Sequence, residues 1–209
     1  FVAIFDANIY FTLFQAILFL DVFFFTLGYL VEMPILKNQI KSVDPTVFGW
    51  VVCLICYPPF NTSLTSVVWW YATDFWNFHP HFSPLVHVGL NVFILLLMSI
   101  YMIASLSLNF RASNLTNRGV VSSGAYRIVR HPAYAAKNLA WWISAIPALI
   151  VSSHASLTAF ILVLLSLSLW TSIYYLRALS EETHFLITSQ KEYREYISRV
   201  PYRFIPGVF

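Results

Sequence analysis

Two polar clusters in this chain carry residue types that can bind a cofactor and hold an anion. The first is the run Asn117-Arg118-Gly119-Val120-Val121-Ser122-Ser123-Gly124-Ala125-Tyr126-Arg127-Ile128-Val129-Arg130-His131-Pro132-Ala133-Tyr134. Its two glycines and serine pair predict a turn-rich connection, and Pro132 suits the first turn of a following helix. Arg130 and His131 then stand at that helix's N-terminus, where unpaired N–H groups and the helix dipole favour an anion. Tyr134 follows one turn later on the face of His131. A basic anchor at a membrane interface would explain the arginines, but not His-Pro or the paired glycines. The second cluster is Arg177, Glu181-Glu182, Tyr193, Tyr196, Arg199 and Arg203. Arg177 and Glu181 are four residues apart and share a helix face. The plain reading of that pair is a local salt bridge of little energy.

The elements that must position these clusters are apolar. Of 209 residues, 59% are hydrophobic and only 10% charged, whereas a soluble domain carries roughly 25% charged residues. A membrane-crossing helix needs about 20 apolar residues. Residues 8–31, 47–71, 84–108, 134–153 and 156–177 qualify or nearly so. The expected fold is an all-α, polytopic integral membrane bundle of about five transmembrane helices, with a cofactor-binding linker and a C-terminal helical tail. Residues 1–108 supply three spans, and residues 109–209 form the catalytic region. Pro58-Pro59 should kink or split the second span, leaving its full crossing in question. Asp21 lies mid-span, either as a functional carboxylate or as a structural hydrogen-bond partner.

Charge distribution gives the orientation. If all five segments cross, every lysine and arginine falls on one side, in loop 32–46, segment 109–133, the tail after 177, or the adjoining helix ends. The loops 72–83 and 154–155 contain none. The positive-inside rule then makes the C-terminus and both clusters cytoplasmic, in a bacterial inner membrane or an endoplasmic-reticulum-type membrane. The chain shows no basic n-region at its start, so no signal peptide is expected.

The order Gly124-x-Tyr126, Arg130-His131-Pro132-x-Tyr134, Arg177-x3-Glu181-Glu182, Glu192-Tyr193-x2-Tyr196-x2-Arg199-Val200-Pro201 and Ile205-x-Gly207 resembles isoprenylcysteine carboxyl methyltransferase and the phospholipid methyltransferases, over roughly residues 105–207. The resemblance implies S-adenosyl-L-methionine as methyl donor, lined by Arg118, Gly119, Val120, Val121, Tyr126, His131, Pro132, Ala133, Tyr134 and Glu181. Arg177 would meet the substrate carboxylate as the catalytic residue, with Arg199 assisting. Ala125 replaces a frequent proline of that family, Arg111 stands where an amide is common, and Arg203 adds a charge near the terminus. The implied substrate is a prenylcysteine or similar lipidic acid that enters sideways from the bilayer.

The residues suit that chemistry. A terminal carboxylate is ionised at neutral pH, so methyl transfer needs orientation and exclusion of water, and no general base. An arginine fork can fix one oxygen while the other attacks. Tyr126, Tyr134 and Glu181 suit a sulfonium and the cofactor's polar groups. No metal or nucleic acid is expected. The six glycines form no GxGxxG or Walker loop, which excludes a soluble Rossmann enzyme. Cys53 and Cys56 lie in an apolar stretch without a second pair. His79-Pro80-His81 and His87 read as an interfacial loop, and His154 and His184 as loop and tail residues. The sequons at Asn61 and Asn114 are expected to stay unmodified. The alternative activity is an NADPH-dependent membrane reductase of the sterol-reductase kind, which shares an Arg-His-Pro-x-Tyr region and requires a proton donor beside the hydride acceptor. Phospholipid N-methylation is a nearer variant, and a scaffold or transporter a third class.

Overall fold

The computed structural model describes residues 4–61 and 83–208, except for the side chains of Asp6 and Ala7. The last ten residues of the expected second span, most of the loop 72–83, and His79 and His81 lie outside the described residues.

The described chain is helical almost throughout. A π-helical turn, Phe5–Tyr10, leads into α1 (Phe11–Leu30). A two-residue strand β1 (Ser42–Val43) precedes α2 (Val47–Leu54), and α3 runs over Pro84–Leu108. After β2 (Thr116–Asn117) come α4 (Pro132–Ser144), α5 (Ile146–Ala155), α6 (Leu157–Thr188) and α7 (Gln190–Arg199). Four of the apolar stretches are long and apolar enough to cross a membrane: Asn8–Leu30, Pro84–Arg111, Pro132–Ala155 and Leu157–Thr188. At most 39% of any of their apolar windows is buried within the protein. The outward faces, with Phe19, Leu30, Leu85 and Leu165 exposed, therefore need lipid as their solvent. This is the expected all-α polytopic membrane bundle.

Particular boundaries differ from expectation. The helix begun at Val47 is capped by Thr46, whose hydroxyl accepts from Gly49 N. It stops at Leu54, and residues 55–59 turn, because Pro58 has no N–H to donate to the Leu54 carbonyl and Pro59 removes the next donor. The fourth span is two helices, because Pro147 in the first turn of α5 cannot donate to the preceding carbonyls. The largest correction concerns the fifth span, expected to end at residue 177. It continues to Thr188 as one 32-residue helix. At 1.5 Å per residue that is about 48 Å, well beyond the roughly 30 Å of hydrocarbon. Its polar last third stays helical because Arg177, Ser180, Glu182 and His184 form a buried stripe beneath the linker. His184 is accordingly a buried helix residue whose ring bonds to Ser42 Oγ at 3.0 Å, and no loose tail.

Packing brings these elements around one space. Tyr10, Ile17, Ile94, Leu97, Met98 and Ala140 join α1, α3 and α4. Cys56, Trp170, Ile173 and Tyr174 form a second core under Tyr134 and Trp141. Small residues permit the closest approaches: a Cβ on Gly28 would lie 2.4 Å from the Ala112 carbonyl oxygen. The strands pair antiparallel, Ser42 with Asn117 and Val43 with Thr116, which ties the first loop to the linker.

Candidate functional site

The linker is shaped by its own side chains before it meets any helix. Asn117 Oδ1 accepts from Gly119 N, and Asn117 Nδ2 donates to Thr188 Oγ1 and Ser189 Oγ, each at 2.8 Å. Gly119 has φ +102°, a backbone state that disfavours any side chain. Asn117 thus pins the linker to the junction of α6 and α7. Arg118, 4% exposed, donates through Nη1 to the Asn38 carbonyl at 2.9 Å, while its Nε is buried with no hydrogen-bond partner among the described residues.

The two polar clusters, expected on one membrane side, converge. Arg130 Nε donates to Glu182 Oε1 at 2.9 Å, and His131 Nε2 stands 3.1 Å from the same oxygen. Arg203 Nε adds a contact to Glu182 Oε2 at 3.1 Å. The anion at the N-terminus of α4 is therefore the protein's own Glu182, and Arg203 is engaged by the same carboxylate. The chain end folds back to support it: Arg130 N and His131 N donate to the Tyr202 and Arg203 carbonyls. His131 stacks on Tyr134 with ring centres 5.5 Å apart.

One turn deeper, the Tyr134 hydroxyl donates to Glu181 Oε1 at 2.5 Å, and Arg177 Nε donates to the same oxygen at 3.2 Å. Arg177 also reaches Asn114 Oδ1, and its guanidinium lies 5.2 Å from the Tyr134 ring centre and 5.5 Å from that of Tyr57. Below the linker, Tyr193, Tyr196 and Val200 pack with Val120 and Tyr126, and the Tyr196 hydroxyl donates to the Tyr126 carbonyl. Burial, ahead of the nearby Glu181, pushes the Tyr126 hydroxyl far above the usual tyrosine range, so it stays protonated.

A cavity of about 620 Å³ connects these parts, within the range of small-molecule sites. Arg118, Gly119, Val120, Val121, Tyr126, His131, Ala133, Tyr134, Arg177 and Glu181 all line it. Pro132, expected among the cofactor-binding residues, starts α4 and does not line the cavity. Arg199 lies outside the lining, exposed on α7, with Nε donating to the Glu195 carbonyl. The lining carries five cations (Arg111, Arg118, Arg130, Lys137, Arg177) against three carboxylates (Asp21, Asp44, Glu181).

The apolar end of the cavity holds Asp21, singled out by its mid-span position, together with Tyr101 and Lys137, to which no role was assigned from the sequence. Asp21, 8% exposed on α1, accepts from the Tyr101 hydroxyl of α3 at 2.6 Å. Its second oxygen, Oδ1, is buried with no hydrogen-bond partner among the described residues. Lys137 on α4 also lines this region, as do Cys53, Cys56 and Tyr57. A signal for Lys137 was present: it falls three residues after Tyr134, hence on the same helix face. Tyr101 had no such signal, since a tyrosine in an apolar helix reads equally as an interfacial or core residue.

Residues 64–200 match the model of a family described as "Protein of unknown function (DUF1295)". No curated protein matches the chain.

Proposed function

Because the chain belongs to the DUF1295 family, whose description assigns no activity, its function is read from its cavity, and we propose that it is a nicotinamide-dependent membrane reductase acting on a carbon–carbon double bond conjugated to a carbonyl in a lipid. The observation that carries this reading is the Tyr101–Asp21 pair, bonded at 2.6 Å at the apolar end of a cavity whose other end is rich in arginine. Methyl transfer to a carboxylate has no use for a proton donor there. Reduction of a double bond requires one. The family's association with steroid 5-alpha-reductase-like membrane proteins agrees.

The lining also suits the charge of such a cofactor. A dinucleotide phosphate is strongly anionic, whereas S-adenosyl-L-methionine is a cation overall at neutral pH. Arg130 and Arg177 are already paired with Glu182 and Glu181, so the reading rests on Arg111 and Arg118 in the lining, with the buried Arg118 Nε lacking a partner among the described residues; these favour the anion. Arg118 and Arg111 would hold phosphate oxygens, and His131 and Tyr134 would wall the ring system. When bound, a reduced nicotinamide supplies hydride. Tyr101 Oη carries the proton to be delivered; its single hydrogen is held by Asp21 Oδ2 in the ligand-free protein, and delivery would turn that O–H from the carboxylate to the reacting carbon as the hydride adds to the other carbon of the double bond. The apolar lining of Leu18, Val22 and Phe25 excludes water from the reacting bond. A lipid would enter sideways between the spans. By the positive-inside argument, the arginine-rich end and the C-terminus face the cytoplasm.

S-adenosyl-L-methionine-dependent methyl esterification of a lipidic acid is the second reading. It is favoured by Arg177 between the Tyr57 and Tyr134 rings beside Glu181, an arrangement able to meet a carboxylate. Calorimetry on the purified protein with NADPH and with S-adenosylhomocysteine separates the two. Binding of NADPH alone supports reduction, and binding of S-adenosylhomocysteine alone overturns it.

A further inference from the structure

The reductase reading leaves Lys137 unused. It sits in the second turn of α4, within a stretch apolar enough to cross a membrane, and lines the cavity. Its ammonium lies 5.3 Å from the ring centre of Tyr101, 5.4 Å from that of Trp141 and 5.8 Å from that of Tyr174. Among the described residues no carboxylate lies within ion-pair distance of it. Aromatic faces recover part of the cost of removing a cation from water, but they supply no hydrogen-bond acceptors for its three N–H donors. A charged residue at this depth is expensive, and usually meets a substrate or ion pathway.

We infer that Lys137 is the cation that receives the carbonyl oxygen of the lipid substrate and carries the negative charge developing there. The placement fits: the same Tyr101 ring lies against Lys137 while its hydroxyl is held by Asp21. An oxygen reaching the ammonium would thus have its conjugated carbons beside the proton on Tyr101 Oη. Preorganised positive charge in a water-poor site stabilises developing oxyanions strongly. A carboxylate head would suit the place less well, because Asp21 stands close by with an oxygen that lacks a partner among the described residues. The substrate class is therefore an uncharged amphiphile with a conjugated ketone or aldehyde. This assignment rests on the reductase reading for its chemistry, but its binding component does not.

The test uses the whole protein in lipid nanodiscs without nucleotide. A long-chain enone carrying a ¹³C-labelled carbonyl is bound, and its carbonyl stretch is read by difference infrared spectroscopy. The expected result is a shift to lower frequency in the wild type, kept in K137R and lost in K137M, with enone affinity about 10- to 100-fold weaker in K137M. An unshifted carbonyl in the wild type overturns the inference, and so does a shift that survives K137M. K137A serves in the same way should the methionine variant not reconstitute. Failure of the reductase reading would appear separately, as absence of NADPH binding in calorimetry, and leaves this spectrum unaffected.

Discussion

Arg130 and Glu182, 52 residues apart in sequence, are bonded at 2.9 Å with both side chains nearly closed to solvent. The same carboxylate meets His131 and Arg203, so one residue of α6 gathers the linker, the start of α4 and the chain end. Removing it strands two arginines, one of them buried, and such losses cost about 3–5 kcal/mol. Glu182→Ala is expected to lower the unfolding midpoint in detergent far more than Glu181→Ala, whose carboxylate is a third exposed. Equal midpoints would remove Glu182 from this role.

Tyr101→Phe deletes the hydroxyl held by Asp21 and little else. If that hydroxyl delivers the proton, turnover of a lipid enone should fall by about 10²- to 10⁴-fold, with NADPH affinity retained. Single-turnover kinetics in nanodiscs read the first quantity and calorimetry the second. Unchanged turnover would exclude Tyr101 as donor.

How much of this was legible beforehand follows from which physical signal each residue gave. Hydropathy marked α1, α3 and α6, because a continuous apolar run of that length has few other uses. Helix periodicity put His131 with Tyr134 and Arg177 with Glu181, and the shared membrane side allowed the two pairs to meet, as their stacking and bonds do. The extension of α6 to Thr188 was not. A polar run after a span resembles a tail until the linker that buries its stripe is known. Asn114, which meets Arg177, and Tyr101, which meets Asp21, lie 63 and 80 residues from their partners. Only the fold brings such pairs together.

Arg118 offers a direct test of the anionic cofactor. Its Nη1 is held by the Asn38 carbonyl, and its Nε lines up no acceptor within the described residues. A charge-assisted bond to phosphate should contribute roughly 10- to 100-fold in affinity. Arg118→Met is thus expected to weaken NADPH binding by that factor and to flatten its salt dependence. Titration calorimetry at two ionic strengths measures both, and unaltered binding would move the phosphate site elsewhere.

Asp44, which holds the entry to α2, should contribute to acid sensitivity. Burial alone would raise its carboxyl pKa, but bonds from the Thr46 hydroxyl and backbone N–H, the nearby His184, and the Ser180 hydroxyl together hold it below the ordinary 3.8. A carboxylate whose folded pKa is depressed adds stability that is complete above its unfolded pKa and vanishes as pH falls through the lower folded value. Protonation also frees Thr46, whose hydroxyl caps α2 through Gly49 N. Gly49 tolerates no larger residue there, since a Cβ would lie 2.1 Å from Asp44 Oδ2. The wild type should therefore lose stability as pH drops below about 4, whereas Asp44→Asn should be less stable at neutral pH and less responsive over that acid range. Thermal midpoints of both proteins from pH 7 to pH 3 measure the difference. Parallel curves would show that the carboxylate at Asp44 does not contribute to the acid response.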